Sequence, residues 1–433
     1  MAQENLLQKS LRFNTIVNLI DGGFFGFALG LASFSTVIPL FIANFTDSAA
    51  WIGLVPAIHA VGWQFPQLLT ARWVSGMKRF KPFVLFMTVQ ERLPFLGLAL
   101  LAWWSSAMDN RLTLTIAFAL LIWQGVGGGL TANAWQNFIG KIIPHHLRAT
   151  FFGAQSAAAN LLGGIGAILA GFLLERLDFP TNFVVCFVLA SGMMVISWVF
   201  LSLSREPDHP VIPEPDDQKV FWQKVLVIVR QDRPFRWFII SRILFQFATM
   251  ASAFYTVYAV KILGMGEVAA GVMTSILFIV QVVSNMAFGW LADRKGRLPV
   301  LMSGALCSVI AAGAAWLAPN YNWFYAIMIF AGMASSVFWT IGIAVSLEFG
   351  TEHERPTYVG LANTLIAPSA ILAPLLGGWL ADLVNYRLTF FVSALFGLLT
   401  WIILLLFVRI PQKSPAAVPL TYSPENPLDS RNQ

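Results

Sequence analysis

Four ionisable side chains stand inside long apolar runs of this chain: Asp21, Glu91, Arg92 and Arg242. Charge is costly in such runs, so each is by default a candidate for function. Asp21 lies about two helical turns into its run, and Arg242 sits at a similar depth in another. The bland reading is that each reaches back to the interface or caps its own half; the functional one is that each binds a polar group or exchanges a proton. Asp21 is the stronger proton-carrier candidate, as a carboxylate. Polar and aromatic residues recur near these charges at helical spacing. One stripe runs Gln124, Thr131 and Trp135, with Asn133 and Gln136 beside it; another runs Arg242, Gln246, Thr249 and Thr256. Ser335 and Trp339 form a third, and Phe25 follows Asp21 by one turn. Such groups are penalised against lipid, so the stripes face protein or water. An amide-rich, aromatic lining with few charges suits a neutral or amphipathic organic solute better than a multiply charged anion.

The elements that must position these residues follow from composition. The chain has 433 residues, 57% hydrophobic and 11% charged, where soluble chains carry about a quarter charged residues. This is the composition of an all-α membrane protein. Twelve runs near the ~20 residues that cross a bilayer fall at about 13–43, 50–70, 82–103, 112–139, 150–175, 182–203, 236–262, 268–291, 298–318, 323–347, 357–383 and 388–409. Lys and Arg divide unevenly between the two faces, 21 of 27 falling on the one that holds both termini. The expectation is a multi-pass protein of the plasma (inner) membrane with both ends cytoplasmic. Its net charge of +6 then reports topology, and no nucleic acid is expected as a partner. Neither a phosphate-cradling G-x-x-x-x-G-K-[ST] loop nor a metal-spaced His/Cys set is present, so no cofactor, no metal and no enzymatic activity are expected.

The segment "SREPDHPVIPEPDDQKV" can neither bury nor continue a helix, which divides the chain into a six-helix half at 1–203, a cytoplasmic linker at 204–235, a second half at 236–409 and a tail at 410–433. The halves repeat. A shift of 207 pairs Arg148 with Arg355, Thr150 with Thr357, Gly153 with Gly360 and Phe183 with Phe390. Parallel six-helix repeats of this kind hold their substrate between the halves at the midplane.

"GWLADRKGRLPV" supplies Gly289, Asp293, Arg294, Gly296 and Arg297. This resembles the G-x-x-x-D-R-x-G-R loop signature of the major facilitator superfamily, and span count, linker and repeat carry the resemblance over nearly the whole chain. It implies two pseudo-symmetric six-helix halves and secondary transport of a small-molecule solute by alternating access, with protons as candidate coupling ions, membrane lipid as surroundings and a monomer as the working unit. It also implies that span 8 abuts span 5, so Asp293 faces the helix start near Arg148 and Thr150 as a conformational latch. Spans 1, 4, 7 and 10 would line the cavity, where Asp21 and Arg242 could pair across it, hold a polar solute group or exchange a proton; span 3, with Glu91 and Arg92, would be peripheral and its charges paired structurally with other helices. The equivalent loop after span 2 departs from the pattern, with Ala71 and Ser75 where Gly289 and Asp293 stand. Acids gather instead before span 11, at Glu348, Glu352 and Glu354, so a second latch of swapped polarity would set these acids, Glu352 and Glu354 foremost, against Arg72, Lys78 and Arg79. Leu121 stands where a span 4 arginine tied to proton coupling is usual, which leaves open a second reading: a non-transporting membrane sensor or assembly scaffold.

Overall fold

The computed structural model describes residues 2–34, 36–46, 49–207, 218–265, 267–351 and 354–410. Regular structure among these residues is helical. In the first half, span 1 is α1 (Ala2–Leu31) and α2 (Val37–Ala43), and span 2 is α3 (Ala49–Gln64) and α4 (Gln67–Ser75). Spans 3 to 6 are α5 (Lys81–Trp104), α6 (Asn110–Ile142), α7 (Arg148–Arg176) and α8 (Thr181–Ser202). After α9 (Gln218–Gln231), span 7 is α10 (Arg233–Ala248) and α11 (Tyr255–Lys261). Spans 8 to 10 are α12 (Glu267–Lys295), α13 (Arg297–Leu317) and α14 (Trp323–Ser346). Span 11 is α15 (Arg355–Thr364) and α16 (Ala367–Leu383), and span 12 is α17 (Tyr386–Leu406).

Among the described residues, eleven of the twelve spans are long and apolar enough to cross a membrane. Span 2 breaks at Phe65–Pro66 into pieces of 16 and 9 residues. Proline cannot donate to the helical ladder. Starts are set by local acceptors: Asp109 takes the Arg111 N–H, Asp232 the Phe235 N–H and Asn385 the Leu388 N–H. Glu206 accepts from the Phe80 and Lys81 N–H groups at 2.8 Å each, which ties the segment after α8 to the start of α5.

The linker is more ordered than its prolines suggest. Residues 208–217 lie outside the described set, but α9 forms where the proline-rich stretch ends and buries Phe221, Val225 and Ile228. Residues 411–433 of the expected tail also lie outside that set.

Within each half, helices pack on near neighbours: α1 on α7 and α8, α5 on α6 and α8, α13 on α14 and α17. Between the halves the principal contacts are α7 with α12 and α4 with α15, that is, span 5 with span 8 and span 2 with span 11. The first depends on small residues. A Cβ on Gly289 would lie 2.5 Å from the Ala149 carbonyl oxygen, and Gly153 faces the Asn285 carbonyl as closely. Gly289→Leu is therefore expected to lower the melting temperature in detergent through overpacking worth about 1–3 kcal/mol, whereas Gly171→Leu, where an added Cβ meets nothing within 4 Å, leaves it unchanged. Gly296 turns the chain from α12 into α13 at φ +96°, a conformation that side chains with a Cβ rarely adopt.

Candidate functional site

A cavity of about 990 Å³ lies in the first half against α12 and α14 of the second. Its charged wall is built by α1 and α5. Asp21 and Arg92 are each eleven residues from the first residue of their spans, Ser10 and Lys81, so a 1.5 Å rise brings them to equal depth. Arg92 Nη2 is 3.5 Å from Asp21 Oδ1, and Ser197 Oγ of α8 donates to the same oxygen at 2.6 Å. Arg92 also donates to Ser197 Oγ at 2.9 Å and to Thr88 Oγ1, while Glu91 Oε2 lies 4.0 Å from Arg92 Nη1. The guanidinium stands over the Phe25 ring at 5.2 Å. Two carboxylates thus share one guanidinium, all three lining the cavity.

This arrangement corrects two expectations. Asp21 does not meet Arg242; its partner is Arg92. Nor is span 3 peripheral to the cavity, because α5 turns both Glu91 and Arg92 toward it, where Arg92 meets Asp21 of another helix. Matching depth was the available signal in the sequence. Phe25, Thr131 and Trp135 also line this cavity, with Trp135 at 6.0 Å from the Phe152 ring. Gln124 does not line it: its Oε1 meets His59 Nδ1 at 3.0 Å, joining α6 to α3.

A second cavity of about 360 Å³ lies in the other half. Arg242, Gln246, Thr249, Ser335 and Trp339 line it, with Gln64 and Gln281. Arg242 reaches Asn363 Oδ1 at 3.4 Å and Ser346 Oγ at 3.5 Å. Gln64 Oε1 is buried there without a hydrogen-bond partner. Trp63 and Trp339 belong to both cavities, with ring centroids 5.2 Å apart, so the two chambers meet at this aromatic pair.

Beyond Trp63, toward the end that carries the termini, a polar seam joins the halves. Asn363 donates to Gln67 Oε1 at 2.7 Å, and Asn133 donates to the Gln67 and Pro356 carbonyls at 2.8 Å each. The Leu68 N–H donates to Thr364 Oγ1 at 3.2 Å. Further out, Asp293 accepts from the Thr150 N–H at 2.6 Å and the Ala149 N–H at 3.3 Å, at the first turn of α7. An anion is favoured there by the helix dipole and by N–H groups that lack helical partners. Arg297 bridges Asp293 at 3.4 Å and Glu348 at 2.6 Å, and Glu348 also holds Arg148 at 3.2 Å. Arg294 stacks on Trp290 at 4.3 Å, outside this network.

Glu348, one of the acids expected opposite Arg72, Lys78 and Arg79, joins Arg148 and Arg297 beside Asp293. Of those acids, Glu354 turns back on Thr351, accepting from its N–H at 3.0 Å and its hydroxyl at 2.9 Å, and Glu352 lies outside the described residues. Arg72 closes the last turn of α4, and Arg79 lies in the loop before α5.

Comparison with known proteins agrees with this architecture. The family model described as Major Facilitator Superfamily matches residues 23–271 and 246–426. The chain is 30% identical over 140 residues to the multidrug resistance protein MdtG of Enterobacter lignolyticus, covering 32% of this chain and 33% of that protein. It is 29% identical over 136 residues to the MFS-type transporter VdtG of Byssochlamys spectabilis, covering 31% of this chain and 24% of that protein. These matches span a third or less of either relative. Among solved structures, the E. coli fucose:proton symporter FucP superposes with a TM-score of 0.72 at 16% identity, over 92% of this chain and 99% of that one. The proton:xylose symporter XylE superposes with a TM-score of 0.70 at 15% identity, over 93% and 96%. Likeness at this identity concerns the fold; the family model, matched across most of the sequence, shows that the chain belongs to the Major Facilitator Superfamily.

Proposed function

We infer that this protein is a secondary transporter that moves a small neutral or amphipathic organic solute by alternating access, with proton coupling through Asp21. The observation that carries the reading is the pair of chambers meeting at Trp63 and Trp339, with two carboxylates and a guanidinium in one and a second guanidinium in the other. The four formal charges cancel. A neutral or zwitterionic solute adds no net charge to such a site, whereas a multiply charged one would have to be held without compensation. The first chamber alone carries a net −1 when both acids are ionised, and one proton neutralises it. That fits a proton-driven cycle of the kind named for FucP and XylE, and the name of MdtG is consistent with organic solutes.

The latch and polar seam close the end that carries the termini; the excess of Lys and Arg there supports a cytoplasmic side, in our reading that of a plasma (inner) membrane. In this reading the structure is the state closed toward the cytoplasm, and the monomer is sufficient because both halves and both chambers lie in one chain. Retention of the charged chamber together with Asp293 disfavours a scaffold without transport. The test is solute flux in proteoliposomes with and without a pH gradient. Flux stimulated by the gradient is expected, and a protein that moves no organic solute under either condition is not this transporter. Trp339→Ala removes one wall between the chambers. Because Trp339 is 51% exposed, thermal stability should hold while the half-saturating solute concentration rises about tenfold, or about 1.4 kcal/mol of binding. The concentration dependence of flux measures it.

A further inference from the structure

The larger chamber is bounded by α7 of one half and α12 of the other. At the end that carries the termini, α7 and α12 are in backbone contact through Gly153 and Gly289. Farther from that end, several of the side chains that the two helices present to the chamber are exposed. Leu161, Ile165 and Ile168 form one stripe on α7 at i, i+4 and i+7, and Ser275, Phe278, Ile279 and Val282 form another on α12. All seven line the chamber that holds Asp21 and Arg92. Yet Leu161, Ile165, Ile168, Phe278 and Ile279 are 55%, 47%, 76%, 48% and 64% exposed. Two apolar stripes sealed against each other would bury these side chains. An added Cβ on Gly164, between the stripes, meets nothing within 4 Å. The opposite interface between the halves has no such gap on this chamber: Trp63 is its sole lining residue from spans 2 and 11.

We propose that the cleft between α7 and α12 is a lateral portal through which a single-chain amphipath enters from the bilayer, its polar head at Asp21, Arg92 and Glu91 and its apolar tail between the two stripes. The portal deepens the transporter reading and rests on it for the solute's destination. It selects for solutes dissolved in the membrane, because a gap walled by isoleucine, leucine and phenylalanine and facing acyl chains gives a water-soluble solute no polar partner until the head-group site is reached. The volume of about 990 Å³ is at the upper end of ordinary ligand pockets, ~300–1,000 Å³, room enough for a head group and a chain together. The portal faces the leaflet remote from the latch.

The test uses the full chain in liposomes with a zwitterionic alkyl phosphocholine carrying a photoreactive diazirine on the chain carbons next to its head group. After illumination, labelled peptides are quantified by mass spectrometry. Peptides containing Phe25 and Trp135 should be labelled in the native protein. Gly164→Trp should lower that labelling about tenfold, corresponding to about 1.4 kcal/mol of exclusion. Gly171→Trp, on the same helix and equally free of neighbours but outside the chamber lining, should leave it unchanged. Inner walls unlabelled in the native protein, labelling that survives Gly164→Trp, or an equal loss in both variants would each overturn the portal. Flux is read separately. Transport with unlabelled inner walls removes the portal and keeps the transporter, whereas labelling that follows this pattern without any flux keeps the portal and removes the transporter.

Discussion

Asp21→Asn abolishes gradient-driven accumulation of solute in proteoliposomes while leaving solute exchange without a gradient. One proton coupled per solute, across about two pH units, supports roughly hundredfold accumulation, since each unit is worth about 1.36 kcal/mol. A carrier without its proton site only equilibrates the solute, so the expected loss is that whole factor. The geometry separates this effect from simple damage. Asn keeps the shape of Asp and can still accept from Ser197 Oγ, which lies 2.6 Å from Asp21 Oδ1. The variant does leave Arg92 short of a buried partner, a change that costs about 3–5 kcal/mol when compensation is absent. Glu91 at 4.0 Å offers part of that compensation. Arg92→Gln, which leaves both acids without their guanidinium, should lower melting temperature more than Asp21→Asn does, so lost accumulation in Asp21→Asn is not a lost fold. If Asp21→Asn accumulates solute like the native chain, the proton is carried elsewhere, and Glu91→Gln becomes the informative variant.

The particular residues show what sequence alone can and cannot reach. Span limits were legible because hydrocarbon thickness imposes length and apolarity on every segment. The run expected at 82–103 is α5 at Lys81–Trp104, and that at 388–409 is α17 at Tyr386–Leu406. The neighbourhood of Asp293 was legible because a motif fixes a loop against a helix start, and helix starts have known electrostatics. Azimuth was not. Depth along a span follows from counting, but the direction a side chain faces depends on how that helix is rotated against its neighbours, which no single helix encodes. So Asp21 seemed free to meet Arg242, and Arg92 seemed remote, although both sit one helix apart at the same level. Glu348 was misassigned for a related reason. Its place before span 11 suggested Arg72 and Arg79, yet it lies just past the end of α14, where Arg148 and Arg297 converge on it. The break in span 2 was hidden because Pro66 interrupts hydrogen bonding without interrupting hydropathy.

The second large effect is expected at the latch. Asp293→Asn should move the conformational equilibrium toward opening at the end that carries the termini. A carboxylate at a partly buried helix start contributes up to about 2 kcal/mol, roughly a 30-fold change in the ratio of states at 1.4 kcal/mol per tenfold. Because Asp293 touches Ala149 and Thr150 only when α12 lies against the first turn of α7, its energy belongs to one state and biases the equilibrium in full. Glu348→Gln should act in the same direction, since it leaves Arg148 and Arg297 facing each other with Asp293 as the remaining nearby acid of the network. Spin labels at Lys78 and Lys295, exposed residues of opposite halves at the latched end, report the change as a longer-distance population in either variant. The two substitutions should combine less than additively, because Arg297 bridges both acids and residues of one network typically couple by about 0.5–3 kcal/mol. A plain topological anchor makes a different prediction: both variants would shift melting temperature or expression while the distance distribution stayed put. A mechanical latch demands the reverse, because an interaction confined to one conformation changes which state is populated before it changes whether the halves fold.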